Sequence, residues 1–69
     1  MTIRQIGEII LARRKDLRLR QEDVAEMSGV TVRTLHNIEE GKGNPSVKTL
    51  SRLCHILGLE ISIAIKTID

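Results

Sequence analysis

The segment QEDVAEMSGVTVRTLHNIEEG, residues 21–41, limits the possible folds more than any other part of this 69-residue chain. Two short helical patterns lie on either side of a three-residue connection, 29–31. Gly29 tolerates the positive φ that so tight a turn needs, and Thr31 is a residue type that caps the next helix. So short a connection makes the helices cross steeply, and the small Ala25 permits their close approach.

Apolar periodicity places this pair inside a larger helical domain. The predicted helices are 3–16, 21–28, 32–40 and one that runs from Ser46 or Asn44 to about Leu57. Leu35 and Ile38 face inward and lock the third helix onto the body of the domain. We therefore expect an all-α fold of four to five helices over residues 1–59, in which the second and third helices form a helix-turn-helix.

Residues 60–69 follow a different pattern and are expected to form a dimerisation strand with a short tail. Glu60 to Lys66 alternate strictly, with isoleucine at every second position, which is typical of a strand with one apolar face. No other segment reads as a strand, so we expect antiparallel pairing with a second copy; a frayed tail is the alternative. The predicted dimer interface comprises Ile61, Ile63, Ile65, Ile9 and Ile56.

Composition excludes several classes of function. The absence of aromatic residues argues against single-strand nucleic-acid binding, in which bases stack on aromatic rings. Cys54 is the only cysteine, so no disulfide framework or cysteine metal cluster is expected. The chain shows no catalytic Ser/His/Asp or Cys/His arrangement and no phosphate loop, so we expect neither an enzyme nor a bound cofactor. The chain also lacks a membrane-spanning apolar run and a signal peptide, which favours a cytoplasmic location.

The net charge of +2 is unevenly distributed. Five cations fall within RRKDLRLR, residues 13–20, which indicates either a contact surface for a polyanion or a solvated helix end. Arg14 differs from the others because it lies on the inward stripe of the first helix. An arginine directed at a core needs an anionic partner, since an unpaired buried charge is very unfavourable.

Residues 21–58 resemble the Cro and phage-repressor-like helix-turn-helix (XRE) family, and the likeness extends over roughly 3–59. It rests on Gln21, Ala25, Gly29, Leu35, Glu39, Gly41, Pro45 and Leu57-Gly58. The family usually has Ser, Thr or Asn where this chain has Arg20, so the second helix lacks its usual cap. The resemblance also implies that Arg14 and Glu39 form a structural ion pair.

The resemblance makes the third helix the one that enters the major groove of double-stranded DNA. The expected base contacts are Thr31, Val32, Arg33, Asn37 and His36, and the expected phosphate contacts are Gln21, Arg20, Thr34 and Lys42. Arg33 can donate two hydrogen bonds to guanine, and Val32 can contact a thymine methyl group. Asn37 can read adenine or hold a phosphate. For each of these side chains, the alternative is that it is an ordinary polar residue of the surface.

A homodimer fits this interpretation, because two recognition helices about 34 Å apart meet successive major grooves of an inverted repeat. We therefore expect a sequence-specific transcriptional repressor. The ending LGLEISIAIK is similar to that of the HipB-like antitoxins. That likeness implies autoregulation of a toxin–antitoxin pair or, alternatively, a protein whose main role is to neutralise a HipA-like serine/threonine kinase toxin.

Overall fold

The computed structural model describes residues 1–67, and this part of the chain contains four α-helices and no strand. The helices are α1 (Ile3–Asp16), α2 (Gln21–Ser28), α3 (Val32–Glu39) and α4 (Val47–Leu57). Their bounds agree closely with those predicted from apolar periodicity. The expected all-α helix-turn-helix fold is confirmed, with four helices in the described residues and not five.

Hydrogen bonds to side chains determine where the outer helices begin and end. Thr2 Oγ1 accepts from the backbone N–H of Gln5 at 3.1 Å, and Gln5 Oε1 accepts from that of Thr2 at 2.8 Å. This reciprocal pair is a capping box that starts α1. At the end of α4, Arg13 Nε donates to the carbonyl oxygen of Leu57 at 2.7 Å. An arginine of α1 thus satisfies a terminal carbonyl that has no partner within its own helix.

One apolar core joins the four helices and the turn between α2 and α3. Its buried side chains are Ile10, Val24, Val30, Leu35, Ile38, Leu50, Leu53 and Leu57. Both α1 and α2 pack against α3 and against α4. The third helix is therefore held by two neighbours on its inner side, while its outer side stays free.

Position 7 in α1 sets how closely the first helix approaches the third. A Cβ atom on Gly7 would lie only 2.1 Å from the carbonyl oxygen of Ile38, so no larger residue fits without moving the backbone. The residue is buried within an otherwise regular helix. A glycine inside a helix is normally unfavourable, and here the close packing of α1 on α3 requires it.

A buried ion pair ties the same two helices together. Arg14 Nε donates to Glu39 Oε2 at 2.6 Å, and Arg14 Nη2 donates to Glu39 Oε1 at 2.9 Å. Their side chains are only 12% and 5% exposed. A third guanidinium nitrogen, Nη1, donates to the carbonyl oxygen of Leu19 at 2.9 Å. The inward-pointing arginine thus has a two-pronged carboxylate partner and a carbonyl acceptor, as an ion taken out of water requires.

A third side chain completes the surroundings of this carboxylate. Gln21 Nε2, at the start of α2, donates to Glu39 Oε1 at 2.9 Å. Burial alone raises the pKa of Glu39, but the hydrogen bonds from Arg14 and Gln21 outweigh that effect and hold the pKa below its ordinary value of 4.5. The same ion pair raises the pKa of Arg14. Glu39 is therefore ionised in the folded protein and in contact with both α1 and α2.

The C-terminal segment gives no support to one expectation. The predicted strand is not formed, because residues 59–67 adopt neither helix nor strand in the single chain. A strand needs a neighbour for its backbone N–H and C=O groups, and residues 1–67 offer none. Ile63 and Ile65 are 98% and 99% exposed. The end of the predicted tail, 68–69, lies outside the described residues.

The other residues assigned to the dimer interface lie at different depths. Ile9 is 42% exposed on α1, whereas Ile56 on α4 is half-buried. Ile9 belongs to an open apolar groove of about 290 Å³ between α1, α4 and the start of the C-terminal segment. Ile61, which is 46% exposed, forms part of the same groove.

The close approach at position 7 yields a stability prediction. We expect Gly7→Ala to lower the free energy of unfolding by about 1–3 kcal/mol or more, because its Cβ meets a backbone oxygen that cannot rotate away. Ala12→Gly, at an exposed position of α1, is the control and should lower it by about 1 kcal/mol through helix propensity alone. Urea unfolding followed by circular dichroism measures both. A Gly7→Ala protein as stable as the parent would contradict the packing described here.

The buried ion pair yields a second prediction. We expect Arg14→Met and Glu39→Gln each to lower the free energy of unfolding by about 3–5 kcal/mol, because each leaves a buried group without its partner. The double variant should lose much less than the sum of the two. Glu8→Gln, which removes the exposed Arg4–Glu8 pair of α1, is the control and should change stability by less than about 1 kcal/mol.

Acid unfolding tests the same pair independently. Because the pKa of Glu39 is lower in the folded protein than in the unfolded chain, its stabilising contribution is present above the ordinary value of 4.5 and is lost as the pH falls below that value. The parent and Glu8→Gln should share this loss, and the double variant Arg14→Met/Glu39→Gln should lack it. Equal dependence on pH in all three proteins would show that Glu39 has no such role.

Candidate nucleic-acid interface

The third helix has an inner side that is buried and an outer side that is free. Leu35, Ile38 and Glu39 face the domain and are at most 8% exposed. Arg33 and Asn37 lie on the other side and are exposed. Because the inner side is held by the core and by the ion pair, the outer side chains project from a rigid support.

The turn before α3 presents the N-terminal end of that helix. Gly29 adopts a φ of 74°, a left-handed conformation that ends α2 and redirects the chain. Thr31 Oγ1 then accepts from the backbone N–H of Thr34 at 3.1 Å and caps α3. Val32, the next residue, is 39% exposed. The structure thus brings Thr31 and Val32 together at the end of α3 that would enter a groove first.

The outward side chains of α3 differ in how they are engaged. The Arg33 side chain makes no hydrogen bond or ion pair within residues 1–67. His36 Nε2 lies 3.7 Å from Glu40 Oε1, one helical turn further on, and both side chains are more than half exposed. Arg33 is therefore free to bind an external ligand, whereas His36 lies beside a carboxylate that sequence reasoning had not linked to it.

A shallow depression of about 190 Å³, with both polar and apolar lining, lies between α3 and the loop that follows. Thr34, Asn37 and Lys42 line it together with residues 43–45. The backbone N–H of Lys42 donates to the carbonyl oxygen of Asn37 at 2.9 Å, which folds the loop back against the helix. Three of the predicted DNA contacts therefore share one surface, with an amide, a hydroxyl and an ammonium group.

The start of α2 is capped in an unexpected way. Arg20 occupies the N-cap position, and its side chain provides no cap. The side chain of Asp23 provides the hydrogen bond at this end of the helix, since its Oδ2 accepts from the backbone N–H of Arg20 at 2.9 Å. The Arg20 guanidinium also donates to both oxygens of Asp23, at 3.2 and 3.1 Å, and these hydrogen bonds lower the pKa of Asp23. Gln21, the first residue of α2, donates one amide N–H to Glu39, and its other amide N–H has no partner among residues 1–67.

Three of the five cations in the basic segment 13–20 already bind other groups of the same chain. Arg13 binds the end of α4, Arg14 binds Glu39, and Arg20 binds Asp23. In the described residues this leaves Lys15 and Arg18 as the cations of the segment whose side chains make neither a hydrogen bond nor an ion pair. The segment is therefore not a continuous surface for a polyanion. The position of Asp23 three residues after the cap was a readable signal for the role of Arg20, but nothing in the sequence indicates the role of Arg13.

Two further features concern other kinds of site. Across residues 1–67, no helix combines the length and the apolar character that crossing a membrane requires. The same residues contain no group of three His, Cys, Asp or Glu side chains positioned to hold a metal ion.

Comparison with known proteins agrees with this geometry. The sequence model of the helix-turn-helix family matches residues 10–63. The chain is 33% identical over 60 residues to the ImmF control region 10 kDa protein of Bacillus phage phi105, a match that covers 87% of this chain and 67% of that protein. It is 40% identical over 52 residues to an uncharacterized HTH-type transcriptional regulator of Methanothermobacter thermautotrophicus, covering 75% of each. The chain therefore belongs to the XRE-type helix-turn-helix family, as the resemblance to phage repressors predicted.

Proposed function

We propose that this protein is a sequence-specific transcriptional regulator, a repressor that binds an inverted repeat of double-stranded DNA as a homodimer. The observation that carries the proposal is the rigid third helix, which presents a free arginine, Arg33, beside its capped N-terminus. Membership of the helix-turn-helix family supports it, as do the names of the two relatives, one a phage control-region protein and one a transcriptional regulator.

In this proposal the N-terminal half of α3 reads the bases. The Arg33 guanidinium donates two parallel hydrogen bonds to O6 and N7 of a guanine, a contact that discriminates by about 1–3 kcal/mol. The half-exposed Val32 is suited to a thymine methyl group, and Thr31 stands at the same end of the helix. His36 lies further along the outer side, next to the carboxylate of Glu40.

Phosphate contacts on either side hold the helix in the groove. Lys42 and Thr34 adjoin the depression beside α3, and Asn37 lies between them, where it can hold a phosphate or reach an adenine. Gln21 offers its free amide N–H and the N-terminus of α2. Arg20 contributes less to phosphate binding in this scheme, because Asp23 already neutralises it.

A homodimer supplies the second recognition helix. Two copies with their α3 helices about 34 Å apart meet successive major grooves, so the operator is an inverted repeat. The exposed isoleucines after Gly58 support this assembly, because pairing of two such segments would cover Ile63 and Ile65 and satisfy the backbone groups of both.

A second candidate function follows from the similarity of LGLEISIAIK to the HipB-like antitoxins. In that case the protein also neutralises a HipA-like kinase toxin and represses its own operon. Affinity purification from the native host, with nuclease treatment to remove DNA, separates the two roles. A kinase-sized protein that stays bound after nuclease treatment supports the antitoxin role, and its absence argues for a regulator alone.

The reading of bases by Arg33 can be tested with a duplex that the parent protein selects from a random DNA library. We expect Arg33→Ala to lose roughly 5- to 150-fold in discrimination at one base pair of each half-site, because the two hydrogen bonds to guanine disappear. Arg33→Lys keeps the charge but not the planar fork, so it should lose most of the same discrimination. Arg52→Ala, an exposed arginine of α4, is the matched control and should leave the preference unchanged.

Lys42→Ala should behave differently from Arg33→Ala. A phosphate contact carries no sequence information, so binding should weaken equally for all duplexes, and the slope of log affinity against log salt should fall by about one. Fluorescence anisotropy at several salt concentrations measures both quantities. Uniform weakening by Arg33→Ala would instead make Arg33 a phosphate contact, and failure of the parent to select any duplex would remove the proposal.

A further inference from the structure

The segment after α4 is anchored at one end and apolar along one side. Leu59 packs against the core, and its backbone N–H donates to the carbonyl oxygen of Cys54 at 2.8 Å. From there onward the side chains are exposed, with Ile63 and Ile65 almost completely so. We call residues 60–66 the arm. Isoleucines at alternate positions of an extended arm point the same way, and nothing in residues 1–67 covers Ile63 or Ile65.

An apolar groove opens beside the root of the arm. It has a volume of about 290 Å³, and the side chains lining it include Ile6, Ile9, Ile10, Leu50, Cys54 and Ile61. The arm of the same chain does not fill it, because Ile61 and Ser62 already form its edge and Ile63 is 98% exposed. The chain thus carries both an uncovered apolar strip and an unfilled apolar groove, which a two-fold axis can bring together.

Pairing geometry limits how two arms can meet. In an antiparallel pair, residues directly opposite each other project from the same side of the sheet. All isoleucines of the arm have odd numbers, so they share one side only when some residue lies opposite its own copy. This condition allows any residue of the arm on the two-fold axis. Pairing within the arm is most extensive when the axis lies at one of its three central residues, which are Ser62, Ile63 and Ala64.

The charges and the anchoring of the arm decide between these candidates. With Ser62 on the axis, Ile65 would lie opposite the partner's Leu59, which is not available for pairing because it packs against the core of its own chain. With Ala64 on the axis, Ile61 meets the partner's Thr67 and loses an apolar neighbour. With Ile63 on the axis, Ile61 meets the partner's Ile65 and the two copies of Ile63 meet each other.

The same central register also pairs the two charges of the arm. With Ile63 on the axis, Glu60 lies opposite the partner's Lys66, and the symmetry generates this pair twice. Neither Glu60 nor Lys66 has an ion-pair partner within residues 1–67. Opposite charges directly across a strand pair are favourable, whereas the other two registers leave both unpaired within the described residues.

We infer that two copies of this protein pair their arms antiparallel with the two-fold axis at Ile63. This inference rests on the homodimer proposed above and specifies its contact surface. Ile61 borders the groove, so the partner's Ile65 directly opposite it lies at the groove's mouth. Each arm therefore helps to cover the groove of the other copy, including Cys54, which lines it.

Single-cysteine variants test the register directly. In a Cys54→Ala background, Ser62→Cys and Ala64→Cys are prepared separately, mixed in equal amounts and treated with a mild oxidant. Intact-mass spectrometry distinguishes the mixed disulfide from the two symmetric ones. We expect the mixed disulfide to form fastest, because Ser62 lies opposite the partner's Ala64 in the inferred register. Glu26→Cys, exposed on α2, is the control for random collision.

Any other pattern of disulfides overturns the inference. A symmetric disulfide that dominates in Ser62→Cys or in Ala64→Cys places the axis at that residue. Cross-linking no faster than that of Glu26→Cys means that the arms do not pair. A monomer that still selects a duplex leaves the proposed DNA binding intact, while a cross-linked dimer that selects none removes the regulator proposal and leaves the arm pairing.

Charge reversal provides a second measurement in solution. Glu60→Lys and Lys66→Glu each place two pairs of like charges across the dimer. We expect each to weaken dimerisation roughly 3- to 30-fold by analytical ultracentrifugation. The double variant Glu60→Lys/Lys66→Glu restores opposite charges and should recover the parent dissociation constant. A double variant as weak as the single ones would overturn the register.

Discussion

The carboxylate of Glu39 is the point on which the geometry of this domain converges. It accepts two hydrogen bonds from Arg14 of α1 and one from Gln21 of α2, while belonging to α3 itself. Three helices therefore meet at one buried ion. Because such an ion is tolerated only with its partners in place, the network favours one arrangement of the helices over other apolar packings. The direction of Arg33 on the opposite side of α3 follows from that arrangement.

Most of the positive charge in the basic segment is likewise used in contacts within the domain. Three arginines of the basic segment are held by a carbonyl oxygen, by Glu39 and by Asp23, so they stabilise the helices and their junctions. The net charge of +2 leaves little non-specific attraction for DNA. For a DNA-binding protein of this kind, affinity then depends on a few well-placed contacts around α3, and the rigidity of that helix matters more than its overall charge.

Small size explains the other prominent surface. In this chain of 69 residues, the described part, 1–67, builds a core of eight buried apolar side chains, and such small domains are often marginally stable alone. The exposed isoleucines of the arm and the groove beside them are apolar surface that a single copy does not cover. Assembly of two copies would add to this limited core and would also provide the symmetry that an inverted repeat demands, so stability and DNA recognition would share one interaction.

The four helices and the helix-turn-helix were predictable from the sequence, because apolar spacing, Gly29 and the caps Thr2, Thr31 and Ser46 act over a few residues. Contacts between distant segments were not predictable in this way. The binding of Arg13 to the end of α4 and of Gln21 to Glu39 depends on how helices separated along the chain pack together. Asp23, by contrast, lies three residues after the N-cap of α2, a local spacing from which its role is predictable.

The arm also shows the difference between what local sequence predicts and what contacts with distant segments decide. Its alternation specifies an apolar side but no partner, and strand formation requires backbone groups on a neighbour that residues 1–67 do not provide. The sequence by itself thus determined the helices, their ends and the outward position of Arg33, all of which arise from local geometry. Only the tertiary structure decided which cations remain free and which apolar side chains remain uncovered, because burial and ion pairing depend on every segment that packs nearby.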